Sequence, residues 1–230
     1  MKQEFLNGQI TIINDNSLNY APFNQDCILV SDPPYNIKYH YSDYKDNLNE
    51  EEYYENLSLL FKDKKHVLIH YHENIYKHAF TIGDFPEKIV SWVYNSNTAK
   101  QSRGIAFFNI KPNFSLGSQD YKNPNDKRIK IRIAEGKKAR LYDWWEINQT
   151  KNVSKKNKLE HPCIIPLKVM DNILSIIPNK LIIDPFLGSG TTAIACINRN
   201  RDFLGYEIDN KYFDLSCKRI EDYIKQSNLF

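Results

Sequence analysis

The stretch Leu-Ile-Ile-Asp-Pro-Phe-Leu-Gly-Ser-Gly-Thr-Thr-Ala, residues 181–193, joins an apolar run, a turn with two glycines and a helical pattern. The apolar run predicts a buried strand at residues 181–184, and the pattern that begins at Thr191 predicts a helix. Gly188 and Gly190 permit a tight turn and a close approach of the backbone to a ligand. The first helical turn offers free N–H groups to an anion. The stretch therefore predicts a strand, a ligand-binding turn and a helix in succession.

The segments around this unit alternate between strand and helix patterns. Further strands are predicted at residues 9–13, 27–31, 67–70, 88–94 and 203–207. Helices are predicted at residues 50–61, 72–80, 166–177, 191–198 and 210–226. Such alternation indicates an α/β fold with a largely parallel sheet.

An acidic residue, Glu207, ends the strand that follows the glycine turn, 23 residues after Asp184. At this position a carboxylate can accept two ribose hydroxyls. The pattern Gly188-x-Gly190-x-x-Ala193 also matches the dinucleotide-binding fingerprint. A nicotinamide enzyme is disfavoured because only 23 residues follow Glu207. A P-loop is excluded because no Gly-Lys-Ser/Thr follows the turn.

A second motif, Asp32-Pro33-Pro34-Tyr35, follows the predicted strand at residues 27–31. Two prolines cannot continue a sheet ladder, and each favours extended geometry in the residue before it. The motif therefore forms a stiff tetrapeptide at the carboxyl end of a strand. Its carboxylate and carbonyls can accept N–H bonds, and its ring can stack on a flat group. These features predict a site for a planar amine.

The charge of the chain is concentrated in one segment. Residues 1–99 contain 8 basic and 14 acidic residues, residues 100–160 contain 15 and 6, and residues 161–230 contain 8 of each. The middle segment thus carries a net charge of +9 within a chain of net charge +3. This asymmetry is typical of a protein with a polyanionic partner, but a solvated, Lys-rich surface loop would have the same composition.

Basic and apolar residues alternate within this segment at residues 127–132, which predicts a strand that buries its isoleucines and presents four cations. The cations of such a strand would contact the phosphates of a nucleic-acid backbone, or they would be the charges that keep an exposed edge strand from pairing with another chain. In the same segment, Arg103 and Arg140 are candidates to read guanine edges. The candidate nucleic-acid contacts are Lys100, Arg103, Lys127, Arg128, Lys130, Arg132 and Arg140.

Other features narrow the class of protein. The four cysteines, at positions 27, 163, 196 and 217, form no Cys-x-x-Cys pair, which predicts reduced thiols and a cytoplasmic location. No run approaches 18 apolar residues and the N-terminus lacks an apolar stretch, so neither a membrane span nor a signal peptide is expected. The histidines at 66, 70, 72 and 78 lack a matching pattern of cysteines or carboxylates, so no metal site is expected.

The Asp-Pro-Pro-Tyr motif and residues 184–192, taken together, resemble the S-adenosylmethionine-dependent amino-methyltransferases of DNA. The tetrapeptide precedes the basic segment, His161-Pro162 and the glycine turn, and this order resembles the circularly permuted β group of the family. The resemblance implies a Rossmann-like class I methyltransferase fold, with helices on both faces of a mostly parallel sheet. Residues 1–99 and 161–230 would form a discontinuous catalytic domain, and residues 100–160 would be a target-recognition insert.

The resemblance also implies roles for individual residues. Asp32 in place of Ser at the first position of the motif usually accompanies adenine N6 as the substrate. Asp15 resembles an acidic contact to the cofactor adenine, although an ordinary turn residue would look the same. The implied catalytic residues are Asp32, Pro33, Pro34 and Tyr35. The implied contacts to S-adenosyl-L-methionine are Asp15, Asp184, Phe186, Gly188, Gly190, Thr191, Thr192 and Glu207.

The activity implied by the resemblance is methylation of adenine N6 in double-stranded DNA, on a base flipped out of the duplex. The enzyme would belong to a restriction–modification system or act as a solitary regulatory methylase. A homodimer and a restriction endonuclease partner are further expectations. Three alternatives stay open: methylation of cytosine N4, methylation of RNA or of a protein glutamine amide, and a DNA-binding subunit without turnover.

Overall fold

The computed structural model describes residues 1–38, 44, 46–150 and 164–227. Its strands are β1 (Lys2–Phe5), β2 (Ile10–Asn14), β3 (Cys27–Ser31), β4 (His66–His70), β5 (Lys88–Val93), β6 (Ser102–Phe108), β7 (Ser118–Gln119), β8 (Ala139–Arg140), β9 (Trp144–Glu146), β10 (Leu181–Asp184) and β11 (Phe203–Glu207). Its α-helices are α1 (Glu50–Phe61), α2 (His72–Ile82), α3 (Lys127–Ala134), α4 (Leu167–Ile176), α5 (Thr191–Asn198) and α6 (Asn210–Ser227). Strand and helix thus alternate along most of the chain.

A nine-stranded sheet is present in the described residues, in the order β1-β2-β11-β10-β3-β4-β6-β5-β9. The neighbours from β2 to β4 run parallel, and β6 runs antiparallel between β4 and β5. The late strands β10 and β11 lie between the early strands β2 and β3. The two ends of the chain therefore complete one sheet, and the carboxyl ends of β2, β11, β10, β3 and β4 lie along the same edge.

Both faces of this sheet are buried. Successive side chains of a strand point to opposite faces, and every residue of β3 is buried. On β3, Ile28 and Val30 pack into the cluster that includes α4, α5 and α6. Leu29 packs on the opposite face with α1, and Leu68 of β4 packs there with α2. The helices thus cover the sheet on both sides.

The predicted strands and helices of residues 1–99 and 166–227 are confirmed to within two residues at each end. The start of α1 shows why the prediction succeeded there. The Asn49 side chain accepts a hydrogen bond of 2.8 Å from the Glu52 N–H. This is the N-cap expected for Asn ahead of a run of acidic residues, which also favour the positive end of the helix dipole.

The strand predicted at residues 127–132 is wrong, because this segment forms helix α3. The Asp126 side chain accepts hydrogen bonds from the N–H groups of Arg128 and Ile129, which caps the helix. Alternation of side chains buries one face only when the segment pairs within a sheet. Ile131, 62% exposed, instead lies on the surface with the neighbouring cations.

The described part of the basic segment, residues 100–150, is also more regular than its composition suggests. Ser102–Phe108 forms β6 in the interior of the sheet, and Trp144–Glu146 forms β9 at its edge. Part of the predicted insert therefore belongs to the central sheet. Residues 151–163, which include His161-Pro162 and Cys163, lie outside the described residues. Within the described helices, none combines the length and the apolar character that crossing a membrane requires.

Candidate active site

A cavity of about 450 Å³ opens at the carboxyl ends of β2, β11 and β3. Asp15 after β2, Glu207 at the end of β11 and Asp32 after β3 line it. A smaller cavity of about 40 Å³ also reaches Asp32, and extends to Asp184. In open α/β sheets, ligands bind outside the carboxyl ends of the strands. The sheet thus brings residues from both ends of the chain to one candidate site.

The glycine turn after β10 has the backbone conformation that its sequence predicts. Gly188 and Gly190 have φ values of 53° and 75°, a region that favours glycine. From α6, the Arg219 guanidinium donates to the Ser189 carbonyl oxygen at 2.6 Å and to the Thr191 Oγ1 at 2.9 Å. A cation from a distant helix therefore fixes the turn, a contact that no local pattern in the sequence indicated.

Asp184 uses both of its carboxylate oxygens within the protein. Oδ2 accepts from the Thr192 hydroxyl at 2.6 Å, and Oδ1 accepts from the Phe186 N–H at 3.1 Å. Burial raises the pKa of Asp184 to about 7, although both hydrogen bonds oppose the rise. In the structure, Asp184 and Thr192 stabilise the turn, and their contact to a cofactor stays a prediction.

Glu207 links the end of β11 to the glycine turn. Its Oε2 accepts from the Gly188 N–H at 2.8 Å, and its Oε1 accepts from the Asp209 N–H at 3.0 Å. Burial raises the pKa of Glu207 to about 7, and these two backbone donors limit the rise. A carboxylate oxygen can accept more than one hydrogen bond, so Glu207 retains the capacity to bind hydroxyl donors in the cavity.

Asp15 lines the cavity directly after Asn14, the residue of β2 that pairs with Glu207. Its Oδ1 accepts from the Asn16 N–H at 2.7 Å and from the Asn19 side chain at 3.0 Å, and its Oδ2 accepts from the Tyr20 hydroxyl at 3.0 Å. These hydrogen bonds, led by that of Asn16, lower the pKa of Asp15. These contacts are those of an ordinary turn residue, the alternative interpretation of Asp15 in the sequence analysis. A role of Asp15 in binding a cofactor stays a prediction.

Asp32 places its carboxylate at the cavity, with 17% of its side chain exposed. Its Oδ1 accepts from the Tyr35 hydroxyl at 2.5 Å, and its Oδ2 lies 3.7 Å from Arg103 Nη1. Burial raises the pKa of Asp32, whereas the Arg103 charge and the Tyr35 hydrogen bond act to lower it. The first and last residues of the Asp-Pro-Pro-Tyr motif are thus in direct contact.

The remainder of the motif is held by residues that the sequence did not reveal. The Tyr53 hydroxyl donates to the Pro34 carbonyl oxygen at 2.7 Å, and His70 Nε2 lies 3.1 Å from the same hydroxyl oxygen. The Tyr71 N–H donates to His70 Nδ1, which assigns the proton of the neutral ring to Nε2. Burial lowers the pKa of His70 to about 3, so the ring is neutral, and it stacks on Tyr35 with centroids 4.3 Å apart.

The predicted nucleic-acid contacts separate into two groups. Lys127, Arg128, Lys130 and Arg132 lie exposed on α3, and Lys100 and Arg140 are also exposed. Arg103 lies elsewhere, because it is 4% exposed and faces Asp32. Because Arg103 lines the cavity and not the outer surface, a contact to a guanine edge stays a prediction. Over the described ranges, no group of three or more His, Cys, Asp or Glu side chains is arranged to hold a metal ion.

Comparison with solved structures identifies the class of fold. The structure of the M1.HpyAVI complex with S-adenosylmethionine is similar, with a TM-score of 0.56 and 23% sequence identity. The likeness covers 91% of this chain and 98% of that protein. The α/β architecture is therefore the Rossmann-like fold of class I methyltransferases.

Residues 27–218 match the model of the N6_N4_Mtase family, described as DNA methylase, so the chain belongs to this family. It is 25% identical over 217 residues to the type II methyltransferase M.HpaI of Haemophilus parainfluenzae. This alignment covers 84% of this chain and 68% of M.HpaI. It is also 25% identical over 167 residues to the type II methyltransferase M.BglII of Bacillus subtilis, and this alignment covers 65% of this chain. The aligned part is 46% of the length of M.BglII.

Proposed function

We propose that this protein transfers a methyl group from S-adenosyl-L-methionine to the N6 amine of adenine in double-stranded DNA. The observation that carries the proposal is the position of Asp32 in a DNA methylase family member. Its carboxylate lies on the same cavity as Glu207 and the glycine turn. An acceptor for an amine and a candidate cofactor site therefore face one space.

The cavity residues fit the cofactor. A volume of about 450 Å³ lies in the range of ordinary small-molecule sites. Glu207 would accept hydrogen bonds from the ribose hydroxyls, and Asp15 would lie towards the adenine. The turn at Phe186, Gly188 and Gly190 would hold the methionine part, supported from behind by Asp184, Thr191 and Thr192. The bound cofactor supplies a methyl group activated on a sulfonium sulfur.

Asp32 and the Pro33 carbonyl would prepare the target amine. The amine lone pair of adenine is delocalised into the ring, so the nitrogen is a poor nucleophile. Acceptors for its two N–H bonds favour a pyramidal nitrogen and stabilise the positive charge that develops during transfer. The base must leave the duplex to reach the cavity, and Tyr35 is the proposed stacking partner. After transfer, the nitrogen loses one proton to solvent.

The basic segment supports nucleic acid as the substrate. The exposed cations of α3 and the charge of +9 in residues 100–160 favour a long polyanion over a protein amide. We propose that residues 109–143 carry target recognition, while β6 and β9 of the segment belong to the catalytic sheet. The catalytic domain would then combine 1–99 and 161–230 with these two strands. A homodimer and a restriction endonuclease partner stay predictions from the family resemblance.

Cytosine N4 is the second candidate for the methylated amine, because it needs the same acceptors as adenine N6. The preference for adenine rests on Asp32, since the family usually has Ser at this position when cytosine is the substrate. Nucleoside analysis separates the two, because N6-methyladenine and N4-methylcytosine are distinct products.

The test is transfer of a labelled methyl group from the cofactor to duplex DNA, RNA and protein. We expect label in duplex DNA, recovered as N6-methyladenine. The Asp32→Ala variant should lose transfer and keep cofactor affinity. Asp222→Ala, which removes an exposed carboxylate of α6, is the matched control and should transfer normally. Label found only in RNA or protein, or undiminished turnover by Asp32→Ala, would contradict the proposal.

A further inference from the structure

Arg103 is a buried cation surrounded by aromatic rings. Its Cζ lies 4.9 Å from the ring centroid of Tyr35 and 5.8 Å from that of Tyr71. It lies 5.3 Å from the ring of Trp92 and 6.0 Å from that of Tyr94. Ring faces attract a guanidinium, but they do not replace the hydration that a buried charge loses. A cation in this position therefore requires an anion nearby.

That anion is Asp32, whose Oδ2 is 3.7 Å from Arg103 Nη1. The distance is that of an ion pair rather than a short hydrogen bond, so Oδ2 keeps lone pairs for another donor. The position of Arg103 beside Asp32 follows from the pairing of β6. This strand runs antiparallel to β4, with Gly104 opposite His70, so its first residues lie at the carboxyl edge of the sheet where Asp32 follows β3.

Among the residues that the structure describes, the other groups near Asp32 do not supply a positive charge. Tyr35 and Tyr53 are phenols, and burial raises the pKa of Tyr53 well above its ordinary value. His70 is neutral because burial lowers its pKa to about 3. Asp184, on the neighbouring strand β10, is a second carboxyl. Nearby, Lys100 forms an ion pair with Glu73 at 2.6 Å.

We propose that Arg103 is a positioning residue for methyl transfer, which keeps the Asp32 carboxylate ionised and oriented towards the target amine. The inference rests on the proposed function. A carboxylate that leaves water without a counter-charge tends to take up a proton. A protonated Asp32 would present an O–H group where the amine needs an acceptor. Arg103 prevents this when a base fills the cavity and excludes the remaining water.

The test compares Arg103→Met, which removes the charge, with Arg103→Lys, which keeps it. For Arg103→Met we expect the acid limb of the kcat profile to move to higher pH by at least one unit. On this limb, kcat should fall about tenfold for each pH unit of displacement and recover as the pH rises. Arg103→Lys should restore most of the wild-type profile. The Kd for S-adenosylmethionine should change by less than twofold in both variants.

Arg199→Met is the matched control, because it removes the cation of another arginine–aspartate pair, with Asp171 at 3.6 Å. It should leave the pH profile in place. If Arg103 has only a structural role, Arg103→Met will unfold more readily but keep the wild-type profile. That outcome would overturn the inference.

A direct titration separates this inference from the proposed function. The carboxyl carbon of Asp32 can be followed by NMR in protein labelled with ¹³C at aspartate, with Asp32→Asn used for assignment. We expect Asp32 to titrate at higher pH in Arg103→Met than in the wild type, whatever substrate the enzyme modifies. Identical titrations would refute the role of Arg103, even if DNA is methylated. A shifted titration without DNA methylation would instead refute the proposed function.

Discussion

The affinity for S-adenosylmethionine is expected to rise with pH through neutrality, because Glu207 titrates there in the free protein. Burial raises its pKa to about 7, and the nearby charges of Asp209 and Asp184 add to the rise. Ribose hydroxyls are donors, so they bind the ionised carboxylate better than the protonated acid. Cofactor binding therefore favours loss of the proton, and protonation of Glu207 opposes binding.

The size of the effect follows from the fraction of ionised Glu207. With a pKa of about 7, roughly one tenth of the molecules carry the carboxylate at pH 6, and roughly nine tenths carry it at pH 8. When only one form is competent, the apparent Kd increases by the inverse of its fraction. The Kd should therefore be about tenfold higher at pH 6 than at pH 8, a difference of about 1.4 kcal/mol.

The assay is isothermal titration of the cofactor into the protein between pH 6 and pH 8, with Glu207→Gln as the principal variant. The amide cannot ionise, so Glu207→Gln should bind weakly at pH 8 and show little change with pH. Asp184→Asn is the matched control. It removes a charge that raises the pKa of Glu207, so its pH dependence should persist and move to lower pH. A tenfold pH effect that survives in Glu207→Gln would refute the reasoning.

Three further predictions concern residues that support the site and one buried histidine of the core. Tyr53→Phe removes the donor to the Pro34 carbonyl, and should lower kcat by about fivefold, or ~1 kcal/mol, without weakening cofactor binding in the same titration. Gly190→Ala should lower the free energy of unfolding in urea by about 1–2 kcal/mol because of its φ of 75°, and by a further amount because the added Cβ would lie 3.3 Å from the Ser216 side chain. Gly136→Ala, at a φ of 71° and with open space around the added Cβ, should show the backbone cost alone. Burial lowers the pKa of His78 to about 3, so below pH 6.5 the unfolded chain binds a proton that the folded protein does not, and the wild type loses stability. From pH 8 to pH 5, the free energy of unfolding of His78→Leu should therefore rise by about 2 kcal/mol relative to that of the wild type. An equal difference between the two proteins at both pH values would contradict this.

The parts of the site that the sequence predicted are those that depend on strand ends. Asp32, Asp184 and Glu207 each stand at the end of an apolar run, and carboxyl ends of parallel strands meet at one edge of a sheet. Their convergence therefore follows from local pattern and a general rule of α/β folds. The hydrogen bonds of Asp184 and Glu207 to the glycine turn did not follow, because they depend on rotamers set by packing.

The residues whose positions in the site were not predicted from the sequence reach it through pairing across the sheet. Arg103 faces Asp32 because β6 pairs with β4, and the charged, Asn-rich composition around β6 concealed that strand. His70 ends β4 beside β3, but its neighbours gave no sign that it would stack on Tyr35. In α3, basic and apolar residues alternate over too few positions to distinguish a strand from a helix, and the decisive signal was the Asp126 cap.

The carboxyl groups of the two chain halves have contrasting environments, and the contrast suits their proposed ligands. Burial raises the pKa of Asp32 as well, but Asp32 faces the Arg103 cation, which favours its ionised form before any ligand arrives. Asp184 and Glu207 are held by a hydroxyl and by backbone N–H groups, and burial raises both pKa values to about 7. A neutral adenine amine brings no charge, so its acceptor must be ionised in advance. The proposed cofactor brings positive charge, which can itself drive loss of the protons from Asp184 and Glu207. A cationic partner is therefore needed for the carboxylate on the side of the target base, whereas Arg219 on the side of the cofactor contacts the Ser189 carbonyl and the Thr191 hydroxyl rather than a carboxylate.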